Sequence, residues 1–362
     1  MRNSNFSDPT NQNTKNTHPQ KNMFKSILVF LTLISLCPVH CRKPHVINFR
    51  WPDLYPASFA WDQKSEHFVV GSLRQKQLIS ISDAGVAAPL LSDESLPENT
   101  SFFGLALDRH HHRLLAVVHR PSTPSLSALA SYHLTTFNQL FLASLPNTTV
   151  PNDVAVDFSG NAYVTDAANG VVFKVNIDGD ASILSRSQTY RNSGLNGVVY
   201  NSKGYLLVVQ RNTGKLYKVN VDDGTARTVI LNKDLTAVEG IAVRSDGTLV
   251  AVSKHKLYFI KSHDSWSEGV VFDETALDEE WPASAVTVGA EDRVYVLYGH
   301  VKEGIMGNSE RADFTIVEVE SEKEGKEENV WIFVLFGLGF AYFLFWRFQM
   351  RQLVQNMDKK TA

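Results

Sequence analysis

Cysteine is scarce. The 362-residue chain has two, Cys37 and Cys41, and none beyond residue 41. That excludes disulfide staples, zinc–thiolate sites and a cysteine nucleophile from everything downstream. An excess of one charge is lacking too. The formal net charge is −3, and no basic block interrupts the middle of the chain, so no nucleic-acid partner is expected. No Gly-x-Ser-x-Gly elbow, phosphate loop or dinucleotide fingerprint stands in a suitable context. Serine-hydrolase, nucleotide and dinucleotide chemistry are left without a signature. Long apolar runs are confined to two places near the ends.

Repetition is what the sequence has in abundance. Val150 to Asn176 holds three short strand patterns, VAVDF, AYVTD and VVFKVN, broken by Ser159-Gly160 and Asn169-Gly170. Alternating small and β-branched residues suit a pleated strand, and the glycines suit the turns. Leu195 to Asn220 and Val238 to Lys261 repeat the pattern with the same internal ruler. Asn152 precedes Gly160 by 8 residues and Gly170 by 18, and Asn196 keeps both offsets to Gly204 and Gly214. Glu239 keeps the first, to Gly247. Weaker copies begin near Ala57, Phe103 and Ser284, making six. A period of roughly 40–50 residues with several strands per unit is the signature of propeller blades. The expectation is an all-β, six-bladed propeller over 42–321, four strands per blade. The strand at Val46–Phe49 should close the ring beside Phe314–Val319.

The ends carry targeting signals. Residues 1–22 are polar and aperiodic. From Met23 the text reads as a signal peptide: Lys25, the apolar run Ile27–Leu36, then Val39-His40-Cys41 before a cleavage point. Residues 1–41 are therefore expected to be a tail plus signal. An acidic linker is expected at 322–329, and Val330–Trp346 follows as 17 uncharged residues. That is the lower edge of spanning length. Arg347 and Arg351 follow it, which puts the tail 347–362 in the cytoplasm and the propeller in the lumen. Lys359 and Lys360 resemble a dilysine retrieval signal, so the expected location is the endoplasmic-reticulum membrane. Asn99 and Asn147 begin Asn-x-Ser/Thr sites in expected inter-blade loops, where a lumenal domain carries glycans.

In a propeller the innermost strands line the axis, and equivalent positions form a ring. Ala57, Phe103, Asn152, Asn196, Glu239 and Ser284 are equivalent. Asn152, Asn196 and Glu239 thus present two amide oxygens and one carboxylate to one spot. Oxygen donors of that kind hold calcium; they also hydrate the mouth of a wet channel. A second ring is expected from the ends of the second strands. It includes Ser72, His119, Asp166, Gln210, Arg211, Ser253, Lys254 and Tyr298, with His300 just beyond.

Here the chain resembles the calcium-dependent phosphotriesterase superfamily. That superfamily includes the senescence marker protein/gluconolactonase family, the paraoxonases and diisopropylfluorophosphatase. The likeness rests on the six repeats and on PND at Pro151, LNG at Leu195 and VEG at Val238. DFSGNAYVTDAANGVVFKV also suits NHL repeats, which are binding propellers, and the strictosidine synthase-like proteins work without calcium. The resemblance implies calcium held by Asn152, Asn196 and Glu239, with hydrolysis of lactones, esters or organophosphates. It departs from the pattern at two places. Ala57 stands where the family has a first-blade Glu ligand. Phe103 stands where the paraoxonase pair has a second histidine beside the one that His119 resembles. His119 and Asp166 are the candidate proton-transfer residues. The turn His110-His111-His112 lies at the far end of its blade and is not expected to hold a metal. Two readings follow: a hydrolase relative with a weakened calcium site, or a non-catalytic propeller binding a small molecule or protein on this face.

Overall fold

The computed structural model describes residues 44–190 and 193–361, with the side chains at 325–333 and 358–361 excepted. The expected signal peptide lies outside the described residues, as do the side chains of Lys359 and Lys360. The described chain folds as six sheets, antiparallel except for one short edge pair. Each of the first five blades runs outward in sequence order from an inner strand. These inner strands are Phe59–Asp62, Ser101–Asp108, Pro151–Val156, Leu195–Asn201 and Val238–Val243. The sixth starts at Ala285–Val288 and ends with Asp313–Glu318. Its outermost strand is Val46–Arg50, paired in register with Phe49 opposite Phe314 and Val46 opposite Val317. The two ends of the propeller thus zip together, as expected from the sequence.

Alternation explains how the blades stack. Successive side chains of a strand leave opposite faces, so a middle strand feeds two cores. In blade 2, Leu114, Ala116 and Val118 pack towards blade 1, while Leu115 and Val117 pack towards blade 3. Among the described residues six apolar clusters result, one in each seam, including the closing seam of blades 6 and 1. The ruler glycines sit where the repeat put them. Gly160, Gly204 and Gly247 share a φ of +84°, a conformation that favours glycine. Each donates its amide to the residue three back, closing the same turn.

Three features differ from the sequence reading. Blade 5 gains a short edge strand, Ile230–Leu231, parallel to Glu268–Gly269. It covers an otherwise unpaired sheet edge. The connection 299–312 is not a simple turn and contains a helix, α1 (Val301–Met306), where strands and turns alone were expected. The segment 322–329, expected to be a linker, is the start of helix α2 (Glu322–Thr361). Ser321 caps that helix by accepting the Glu324 amide at 3.3 Å, and its own hydroxyl donates to Asp273 at 2.6 Å. Such a cap satisfies an end amide that has no helical partner. The Glu324 carboxylate is then held by Arg244 at 2.6 Å and Lys261 at 3.1 Å. Both lie beneath blade 5, at the end of the strands remote from the expected ring. Among the described residues no helix is long and apolar enough to cross a membrane. The first part of the expected span 330–346 falls among the side chains that are not described.

Candidate functional site: a ring beneath a cationic cup

The ring forms on bulges. The inner strands of blades 2 to 5 slip register at Phe102/Leu105, Pro151/Val154, Leu195/Val198 and Val238/Gly240. A bulge re-aims the side chains it carries, and here these include Phe103, Asn152, Asn196 and Glu239. Close approach of neighbouring strands holds them there. A Cβ on Gly104 would lie 2.5 Å from the Asp153 Cα, and one on Gly197 would lie 2.7 Å from the Ile241 nitrogen. Thr165 fixes the blade 4 bulge by donating to the Asn196 carbonyl at 2.7 Å.

Asn152, Asn196 and Glu239 converge as the equivalence demands. The Asn152 amide donates to Asn196 Oδ1. The Asn196 amide donates to Glu239 Oε2 at 3.2 Å. The other carboxylate oxygen, Oε1, lies 3.0 Å from the Arg211 guanidinium. Burial raises the Glu239 carboxyl above its ordinary range, and the charges of Arg211 and Lys254 oppose that shift.

These residues separate two spaces. An axial channel of about 380 Å³ runs along the inner strands and includes Trp61 and Arg109 near its far end. On the other side a cup of about 590 Å³ opens. Its wall includes Phe103, Val150, Arg211, Asn212, Lys254 and Ser284. Val301, Lys302, Ile305 and Met306 of α1 form its remaining side. Helix α1 is pinned from blade 1. Arg74 donates to the carbonyls of Glu303 at 3.2 Å, Gly304 at 3.1 Å and Ser309 at 2.7 Å. The Glu303 carboxylate pairs with Arg311 at 3.0 Å and with His300 at 3.2 Å.

The second ring divides. Arg211 and Lys254 line the cup, but Ser72, Asp166 and Gln210 bond within their own turns, and Tyr298 bonds to the connection before its blade. Asp166 accepts the amides of Ala168 at 2.9 Å and Asn169 at 3.4 Å. Ser72 accepts those of Arg74 and Gln75, and Gln210 accepts the Thr213 hydroxyl. Tyr298 accepts the Asp278 amide. His119 is buried, with Nδ1 shared between the Leu126 carbonyl at 3.2 Å and Ser127 Oγ at 3.1 Å. Its ring packs edge-on to Phe103. Burial lowers its pKa, against the pull of the Asp166 carboxylate. Neither His119 nor Asp166 is among the residues lining the cup. The turn histidines diverge: His111 bonds to Asp108, and His110 packs on Phe158. Sequence reasoning missed α1 altogether. Its available signal was length, since 299–312 is far longer than the equivalent turns 167–170 and 211–214.

Calcium takes about six to eight oxygens, and its affinity follows ligand charge. This ring offers one carboxylate, and Arg211 already neutralises it. The Asn196 oxygen is occupied by Asn152, and Ala57 adds no donor. The donor set as arranged does not fit a resident calcium ion.

Among known proteins, no family model matches the chain, and no curated protein matches it. Solved structures do. The major allergen Mala s 1 of Malassezia sympodialis is 18% identical with a TM-score of 0.63, over 76% of this chain and 96% of that one. A putative gluconolactonase is 16% identical with a TM-score of 0.55, over 77% and 93%. A streptogramin B lyase is 11% identical with a TM-score of 0.55, over 76% and 98%. At these identities the likeness is one of fold. The chain has the six-bladed propeller fold of the gluconolactonase-like proteins and the streptogramin lyases.

Proposed function

We propose that the protein is a membrane-anchored, lumenal propeller of the endoplasmic reticulum that holds a small carbonyl-bearing molecule in its cup. The observation that carries the binding reading is the continuous chain Asn152–Asn196–Glu239–Arg211 at the floor of a 590 Å³ space. A concave site with a few convergent polar groups is the usual form of a ligand pocket. Amide and guanidinium donors suit a carbonyl oxygen. The anchoring reading is supported by α2, whose Leu335, Leu338, Tyr342, Phe345 and Trp346 are all exposed.

Hydrolysis of a lactone or ester is the second reading. It is favoured by the raised pKa of Glu239, since a carboxylate nearer neutrality is a stronger base towards water. Arg211 and Lys254 would face the developing oxyanion. The test is a thermal melt and a hydrolysis assay of the full chain against a panel of lactones and aryl esters. Binding by wild type, with turnover abolished in Glu239→Gln, supports the hydrolase. Binding without turnover supports the receptor. No melting shift with any panel member removes both. Calcium is a separate arm. Millimolar calcium should leave the wild-type melt unchanged and raise that of Ala57→Glu, in which a second carboxylate joins the ring. At a hundredfold excess over Kd the stabilisation is about 2.7 kcal/mol. A wild-type calcium shift would restore the metal-dependent reading.

A further inference from the structure

The wall of the cup combines cations with apolar side chains, and α1 supplies both kinds. Its cations come from consecutive blades: Arg211 from blade 4, Lys254 from blade 5 and Lys302 from the connection of blade 6. Among the described residues Glu239 is the one acidic residue in the wall, and Arg211 answers it. Lys254 and Lys302 have no ion pair among the described residues. Three cations thus share the described wall with one carboxylate: Lys254 reaches Glu239 only through its charge, Lys302 has no acidic partner in the wall, and the balance facing the cup is positive. Beside Lys302, α1 brings Val301, Ile305 and Met306, and blade 2 brings Phe103. Ile305 is 68% exposed and Met306 is 59% exposed, so both present apolar surface to the cup and its mouth. Exposed apolar groups beside a cationic pair suit a ligand that has both characters.

Resting on the pocket reading above, we infer that the cup takes an amphipathic oxyanion: a carboxylate or phosphate monoester on an aliphatic chain. The headgroup lies between Lys254 and Lys302, and the chain lies against Val301, Ile305 and Met306. Charge-assisted hydrogen bonds supply the headgroup energy, and burial of the chain supplies the rest.

The test is a thermal melt of the full chain in polymer-bounded bilayer discs, titrated with octanoate, octyl phosphate, octanol, acetate and γ-octanolactone. Octanoate or octyl phosphate should raise the melting temperature well beyond octanol and acetate, and the better of the two identifies the headgroup. The double variant Lys254→Gln/Lys302→Gln should weaken that anion about tenfold or more, leaving octanol unchanged. Both lysines are at the surface, so the variant folds. Met306→Ser should shrink the gain from octanoate over acetate. Equal shifts with octanol and octanoate, equal shifts with acetate, or an unaltered double variant would overturn the inference. A shift with γ-octanolactone and none with either anion overturns it while leaving the carbonyl site standing. No shift with any of the five overturns both.

Discussion

Asn152 and Asp153 are neighbours with opposite roles. Asn152 joins the axial ring, whereas Asp153 accepts the Val198 amide across the blade 3–4 seam at 3.0 Å. Alternation along the strand made that division legible in the sequence. Its energetic cost was not. Desolvation raises the Asp153 carboxyl to about 6 from 3.8. The folded state therefore binds this proton more tightly than the unfolded one. The contribution of this one group to stability is therefore greatest below about pH 4, falls between about pH 4 and 6, and stays lower above. Asp153→Asn keeps an oxygen for Val198 and removes the charge. It should stabilise the fold at pH 7.5 by at most about 3 kcal/mol and give no gain at pH 4. Denaturant melts at the two pH values check this; an equal gain at both contradicts it. The same alternation misled the reading of the second ring. Asp166 and Gln210 end their strands, and a strand's end no longer obliges its side chain to follow the pleat. Each was closer to its own turn amides or hydroxyls than to the axis, and the following residue, Arg211 in blade 4, took the outlook instead.

At the scale of elements, what repeats was readable and what does not repeat was not. Gly160, Gly204 and Gly247 recur at one offset and occupy one conformation. The bulges that aim Asn196 and Glu239 could also be anticipated in part, because Gly197 and Gly240 follow them directly. Helix α1 has no counterpart in other blades, so no ruler reached it. It owes its place to long-range contacts, chiefly Arg74 from blade 1, which local pattern does not encode. The close strand approach at blade 2 gives a sharp test. Gly104→Ala would place a methyl 2.5 Å from Asp153 Cα and 2.8 Å from the Asn152 carbonyl oxygen. Both neighbours are held in a sheet, so relief requires moving backbone. The variant should lose about 1–3 kcal/mol or more and displace Asn152 from the ring. Gly204→Ala, whose added Cβ meets nothing within 4 Å, is the control, carrying only the cost of its positive φ. Equal unfolding free energies for Gly104→Ala and wild type would count against the packing account.

For the molecule as a whole, Asn99 and Asn147 are exposed and lie in inter-blade loops at the same end as the cup. In a lumenal protein both should carry glycans. Enzymatic deglycosylation should lower the apparent mass of wild type and leave Asn99→Gln/Asn147→Gln unchanged. A wild type with no mass shift would argue against the lumenal assignment. The other end of the propeller is marked by Glu324, seated between Arg244 and Lys261. In the membrane-anchored reading proposed above, that seat would decide which way the molecule faces. A support gripping α2 would hold the propeller as a stem holds a goblet, with its base towards the support and its rim outward. Molecules entering the rim would then arrive from open solution, and crowding by the support would fall on the far mouth of the axial channel.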